Sequence, residues 1–328
     1  MTIVTNAFET YTQVGIKENV KDVISNITPD ETPFYSQAKK FKVHNRTHQW
    51  QTDNLRIPAQ NAQIEVDAVS AGASSATVML NNSTQISYIA AAVTDTARAV
   101  DTYGRGDEYD YQLMKRGKIL KTDIEFVLLA NVRKQTGDAA SGRRSAGLPT
   151  WIANAVAQGS QSSSHGGDGT GSGIASTTSS SALTYESLAS AMQLAYEDGG
   201  DPTIMMLPPA LKRRFSSLAF AATPSTADVR YNITKPSAVT AVGSVEAWLS
   251  DFGSVDVVPN RQMARSANAF LLATVYLIDP NHYRVGELQP LEIIPLAKTG
   301  LADVAVLRSE YVLEVDAPDA HAMVIGAT

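Results

Sequence analysis

The stretch that decides the architecture is residues 41–93, FKVHNRTHQWQTDNLRIPAQNAQIEVDAVSAGASSATVMLNNSTQISYIAAAV. Phe41, Val43, Thr47, Gln49 and Gln51 fall on alternate positions, the period of an extended strand. Pro58 to Ala76 is small and polar, rich in Ser and Ala, and reads as a loop tip. Thr77 to Val93 returns as strand, with Val78, Leu80, Ile86, Tyr88 and Ala90 alternating against polar or small neighbours. An out-and-back ribbon with so few large apolar side chains buries too little to stand alone. It is expected to lie on a partner surface.

Downstream, residues 107–135 give the clearest helical pattern. Tyr109, Leu113, Leu120, Ile124, Val127 and Leu128 share one face. Asp107 and Glu108 at its start and Arg133-Lys134 at its end suit the helix dipole, and Thr136-Gly137 is read as its stop. A helix of about 27 residues is about 40 Å long, a strut more than a packing unit. Upstream, residues 1–40 read as an extended arm. It holds a weak helical stripe at Val20, Val23 and Ile24, a break at Thr28-Pro29-Asp30-Glu31-Thr32-Pro33, and then the aromatic pair Phe34-Tyr35.

Gly159 to Ser181 has almost no apolar residue and reads as a flexible loop. Thr184 caps a second helix with Leu188, Ala191, Met192 and Ala195 inside, stopped by Gly199-Gly200. Ile204–Leu207 reads as a buried strand, and Pro208-Pro209 opens a third helix. The last third is mostly strand: Val245 to Leu249, Val255 to Val258, Leu291 to Leu296, Val304 to Val315 and Ala322 to Ile325. Ala269 to Ile278 is an apolar run expected to be one central strand buried on both faces. The order predicts an α+β fold without a regular βαβ repeat.

Composition narrows the function classes. Of 328 residues, 44% are apolar, enough for a real core, and only 18% are charged, below the roughly one quarter usual for soluble domains. Burial of surface against neighbouring subunits is one explanation, and a Ser/Thr/Ala-rich style is another. Net charge is −6. The densest basic clusters, Lys39-Lys40, Arg143-Arg144 and Lys212-Arg213-Arg214, are short, so sequence-specific DNA reading is not expected. With no cysteine, disulfides, thiolate nucleophiles and Cys-based metal sites are excluded. The first residues lack the pattern of a signal peptide, and no apolar run approaches the roughly 20 residues of a membrane span, so no membrane contact is expected.

Motifs that carry chemistry are weak. His44 and His48 stand four apart, but without the Glu of H-E-x-x-H and in a strand-like context, so no metal site is assigned. The run Gly166-Gly167-Asp168-Gly169-Thr170-Gly171-Ser172-Gly173 lacks the G-K-[ST] of a P-loop and the strand-helix frame of a dinucleotide loop. Asp251-Phe252-Gly253 spells the magnesium triplet of kinases without the rest of that set. His282 and His321 are isolated. No catalytic residue and no cofactor is assigned, and the chain is not expected to be an enzyme.

Two elements near the start, Ile27-Thr28-Pro29 with Thr32-Pro33-Phe34 and then His48-Gln49-Trp50-Gln51-Thr52-Asp53-Asn54-Leu55, resemble the SU10-type major capsid proteins of tailed bacteriophages. Gly199-Gly200-Asp201-Pro202 before Ile204–Leu207, Ile278-Asp279-Pro280, and Tyr311-Val312-Leu313-Glu314-Val315 followed by Pro318 are similar in kind. The resemblance implies the Hong Kong 97-type capsid fold. Residues 1–40 then form the N-terminal arm and 41–93 the E-loop ribbon. Residues 94–144 form a peripheral domain on the long spine helix and 145–270 an axial domain, with 271–328 returning as strands to both.

It also implies a virion protein, assembled in the cytoplasm of the host bacterium into pentamers and hexamers that close a shell around double-stranded DNA. Portal, scaffolding and decoration proteins are the further partners, with non-specific contact to packaged DNA. Phe34, Tyr35, Trp50, Asp53, Leu55 and Arg56 are the expected inter-subunit contacts. The tip around Ala59 to Ala76 has no lysine, so the Lys–Asn crosslink of some relatives is not expected, nor, with so short a start, a large cleaved scaffolding segment. The rival readings are an encapsulin-like cargo shell, another virion part such as a tail tube subunit, and an enzyme using unrecognised carboxylates.

Overall fold

The computed structural model describes residues 30–62, 65, 76–104, 106–158, 167–171, 181–220, 245–266, 268–298 and 300–328. The helical stripe expected at Val20 to Ile24, the break's first residues Thr28-Pro29, and much of the loop tip lie outside the described residues.

Two sheets and a long helix organise the chain. The first sheet has the order β1-β10-β11-β4. β1 (Lys39–Lys42) runs parallel to β10 (Tyr283–Pro295), which pairs antiparallel with β11 (Ala302–Val315), which pairs antiparallel with β4 (Gln85–Thr94). The second sheet joins β5 (Asn154–Ala157), β12 (Ala322–Ile325), β9 (Thr274–Ile278), β6 (Ile204–Leu207), β8 (Gly253–Pro259) and β7 (Ala247–Ser250), in that order. The final segment therefore feeds both sheets, β9 and β12 in one and β10 and β11 in the other. Both are mixed, and the α+β class follows.

The 41–93 stretch is not a single ribbon. Only β2 (Thr47–Thr52) and β3 (Val78–Ser83) pair with each other alone. Its two ends enter the four-stranded sheet instead, for physical reasons the alternation did not reveal. Gly286 on β10 leaves room for the incoming side chains, since a Cβ there would meet Val43 Cγ2 at 2.4 Å and Phe41 Cζ at 2.8 Å. On β4 the small Ala91 and Val93 are buried against the long helix, so a strand with few large residues still contributes to the core.

That helix, α3 (Glu108–Leu129), begins where the acidic pair predicts, with the Asp107 carboxylate accepting from Tyr109 N. It buries Leu120, Ile124, Leu128 and Leu129. At 22 residues it is about 33 Å long. It stops at Leu129, short of the expected Lys134, because partners outside the helix take over. The Tyr276 hydroxyl donates to the Leu129 carbonyl at 2.8 Å, and the Gly147 amide donates to Val132 O at 2.8 Å. Lys134 turns back, donating to the carbonyls of Asn81 and Asp168 above the Trp151 ring.

The six-stranded sheet is buried on both faces, and the strand period sorts its side chains. Tyr276 and Ile278 of β9 join the core built on α3. Val275 and Leu277 join a second core under α4 (Tyr185–Glu197) and α5 (Pro209–Phe220). The expected start of β9 at Ala269 is corrected. Asn268 accepts from the amides of Phe270 and Leu271 and caps a short helix, α7 (Ala269–Leu272), before the strand begins at Thr274. Apolar content alone does not distinguish a buried helical turn from a buried strand.

The Gly/Ser-rich loop is also corrected over its described part, residues 167–171. Gly169 has a φ of +75°, and a Cβ there would stand 2.6 Å from the Trp151 ring. Its amide donates to Thr150 O and its carbonyl accepts from Lys134 N. The glycines there let backbone lie flat on an indole.

Candidate assembly surface

The ribbon is rigid at its root and bare at its tip. At the root, Trp50 is buried against Trp151 with ring centroids 5.1 Å apart. His48 Nε2 lies 2.8 Å from Glu314 Oε2. Asn82, fully buried, uses its whole amide. It donates to Leu313 O and Ser145 Oγ and accepts from the Ser83 and Ala146 amides. Glu310, almost buried, accepts from Thr84 Oγ1 at 2.7 Å and from Arg143 at 2.6 Å. These bonds hold β2 and β3 at a fixed angle to the first sheet.

Beyond Thr52 the contacts end. Residues 53–62 are exposed and outside any described strand. Leu55 is 98% exposed and Ile57 83%. Such solvation is costly at about 25 cal/mol per Å² of apolar surface. Tyr88 and Ile86 on the outer face of β4, at 67% and 50%, and Leu301 beside β11, at 81%, extend the uncovered apolar area. Scattered exposed residues are ordinary in a monomer, but an outstretched segment with apolar tips is not.

The six expected contact residues divide. Asp53, Leu55 and Arg56 lie together on the exposed segment. Phe34, Tyr35 and Trp50 do not join them, because their own chain covers them. Phe34 and Tyr35 sit on α1 (Pro33–Gln37), where Phe34 stacks on Tyr283 at 4.7 Å. The Tyr35 hydroxyl donates to Glu287 and accepts from Lys40. Aromatic anchors beside two prolines signalled burial without saying in which molecule.

Sequence reading missed Glu125. It lies on α3, fully buried, and its carboxylate accepts from the amides of Phe34 at 3.0 Å and Tyr35 at 2.7 Å and from Asn260 Nδ2 at 2.7 Å. Burial pushes its pKa up, and the hydrogen bonds pull the other way. Asn260 in turn caps α6 (Arg261–Arg265) by accepting from Gln262 N. One carboxylate thus ties the arm, the strut and the end of β8 together. The available signal was an acidic residue beside the apolar face of Leu120, Ile124 and Leu128.

His321 was also missed as a structural group. It is fully buried, its Nδ1 accepts from Asp279 N at 3.1 Å, and its Nε2 faces the His282 carbonyl at 3.4 Å. Burial holds its pKa down to about 4. Unfolded histidine titrates near about 6.5, so between those values the unfolded chain binds more protons. Stability is therefore intact above pH about 6.5 and falls as pH drops toward about 4, by up to about 3 kcal/mol. Asp279 and Asp316 favour the protonated ring, while the neighbouring His282 opposes it. His321→Asn, which keeps an acceptor for Asp279 N, is expected to flatten this slope. Urea midpoints across that pH window check it, and parallel slopes for the two proteins would remove His321 as the cause.

The two sheets, the long helix and the projecting ribbon define a protein class, the Hong Kong 97-type capsid fold. The capsid of a native GTA particle, computed with C5 symmetry, matches it with a TM-score of 0.63 at 10% identity, over 97% of this chain and 98% of that one. The holo-SrpI encapsulin complex of Synechococcus elongatus PCC 7942 matches with a TM-score of 0.55 at 11% identity, over 95% and 92%. These likenesses speak to fold alone.

The chain belongs to the SU10 major capsid protein family, whose model matches residues 3–328. The major capsid protein of Escherichia phage Phieco32 is 39% identical over 124 residues, 38% of this chain. In that match the chain spans 35% of the relative's length.

Proposed function

We propose that this chain self-assembles into the icosahedral head shell of a tailed phage, enclosing its double-stranded DNA, and that its role is structural and not catalytic. The observation that carries the reading is the exposed segment 53–62, projecting from a root too well bonded to collapse onto the body. A subunit built this way gains by laying Leu55 and Ile57 on a neighbour, and every copy offers the same segment. Repeated heterologous contacts of this kind close into pentamers and hexamers when curvature permits, and many modest contacts accumulate through multivalency.

In this reading the β2–β3 ribbon and its tip are the E-loop. The four-stranded sheet with α3 is the peripheral domain, and the six-stranded sheet with α4 and α5 is the axial domain. Asp53, Leu55 and Arg56 are the inter-subunit contacts. The particle forms in the host cytoplasm with portal and scaffolding proteins, touches DNA without sequence preference, and gains no Lys–Asn crosslink. The family match favours a phage head over a cargo compartment, which shares the fold.

Removing residues 56–76 and closing the gap with a short Gly/Ser linker tests the reading. The variant is expected to keep the melting temperature of the parent and to form no closed particles under electron microscopy. Normal shells from that variant would sink the role given to the ribbon.

A further inference from the structure

Along α3 runs a groove of about 740 Å³ that the shell reading leaves without a role. That is within the roughly 300–1,000 Å³ of clefts that hold a ligand. Met114, Ile119 and Phe126 give it apolar walls, with Lys118 of α3 and Gln262 and Arg265 of α6 on its polar side. Met114 is 57% exposed, so part of that apolar wall faces solvent in the described chain.

The arm arrives at this groove. Asp30 is itself part of the wall and pairs with Lys118 at 2.7 Å. One residue on, Gln262 Nε2 donates to Glu31 O at 3.1 Å, and Arg261 Nε lies 3.7 Å from Glu31 Oε2. Residues 30 and 31 are thus fastened to α3 and α6, and the chain before them departs from the groove wall. The sequence there carries Ile16, Val20, Val23, Ile24 and Ile27 at spacings of three and four, with Glu18 and Asp22 on the opposite side of that pattern. The link from Ile24 to Asp30 reaches up to about 20 Å, and a tether that short supplies an effective concentration in the millimolar range.

We propose that the groove between α3 and α6 is the seat of the same chain's residues 16–27, with Val20, Val23 and Ile24 set against Met114, Ile119 and Phe126. The observation behind it is the coincidence of an apolar groove with the point where an apolar-striped arm is pinned. It does not depend on the shell reading. A docked arm fills its own groove before any neighbour arrives, so the arm acts as a strap on the strut and not as a link between copies.

The absence of cysteine makes the test clean. In the full chain, Val23→Cys is paired with Met114→Cys, and separately with Tyr196→Cys on α4 as the control. A short bismaleimide is expected to join the groove pair at least about tenfold faster than the control pair, giving a product that migrates as a monomer. A dimeric product would place a second copy's segment in the groove and overturn the proposal, and so would equal rates for the two pairs. In a second measurement, Val20→Ser, Val23→Ser and Ile24→Ser are combined in the full chain carrying Met114→Cys. Maleimide labelling of the introduced thiol is expected to speed up about tenfold, the factor that corresponds to losing about 1.4 kcal/mol of docking. Unchanged labelling counts against the seat.

Discussion

Glu125→Ala is expected to lower folding stability by about 3–5 kcal/mol, the range for removing one partner of a buried, charge-assisted network. The carboxylate is the shared acceptor of the Phe34 and Tyr35 amides and of Asn260 Nδ2. Its loss leaves those donors buried with nothing to replace water, and opens a cavity beside Ile124. Two of the orphaned donors are amides of α1, so the fault spreads to the packing of Phe34 on Tyr283. Glu125→Gln keeps one acceptor but turns an NH₂ toward a donor, and is expected to lose about 1–3 kcal/mol, the cost of one unsatisfied buried group. Urea unfolding followed by tryptophan fluorescence orders the three proteins. A Glu125→Ala midpoint equal to the parent's would show that the carboxylate ties nothing together.

The second large effect concerns assembly and leaves folding alone. Leu55→Asp combined with Ile57→Asp is expected to raise the protein concentration needed for particles by at least about 100-fold, since about 2.7 kcal/mol corresponds to that factor. Burying a Leu and an Ile gains about 1.5–3 kcal/mol each, and a desolvated carboxylate in their place reverses the sign. Both side chains are already in water in the single chain, so the melting temperature should not move. Light scattering against concentration gives the threshold. An unchanged threshold with an unchanged melting temperature would take Leu55 and Ile57 out of the interface.

The sequence made some of this legible and hid the rest for identifiable reasons. Amphipathic spacing located α3 because a one-sided helix writes its period into the chain, and Asp107 marked its start. Its end was obscured because Arg133 and Lys134 look like dipole partners, whereas the Leu129 carbonyl is taken by Tyr276, more than a hundred residues away. Alternation found strands in 41–93 but not their partners. Pairing of β1 with β10 and of β4 with β11 depends on long-range register, and Gly286 reveals its purpose only once Phe41 and Val43 lie above it.

The candidate surface divides the same way. Leu55 and Ile57 flank a polar, proline-containing segment and were visible as residues with no core of their own to enter. Phe34, Tyr35 and Trp50 carried the same apolar signal but are buried by α3, Tyr283 and Trp151 from distant parts of the chain. Glu125 and His321 gave no local sign, because a buried polar group is defined by the donors and acceptors that the fold brings to it.

The central claim is that copies of this chain cover one another's outstretched segment. The direct measurement is a concentration series of the purified, unmodified full chain by sedimentation velocity, with electron microscopy of the heaviest species. The account predicts capsomers and closed shells above a threshold concentration. A single species of monomer mass at every concentration, with Leu55 and Ile57 still in solvent, would contradict it.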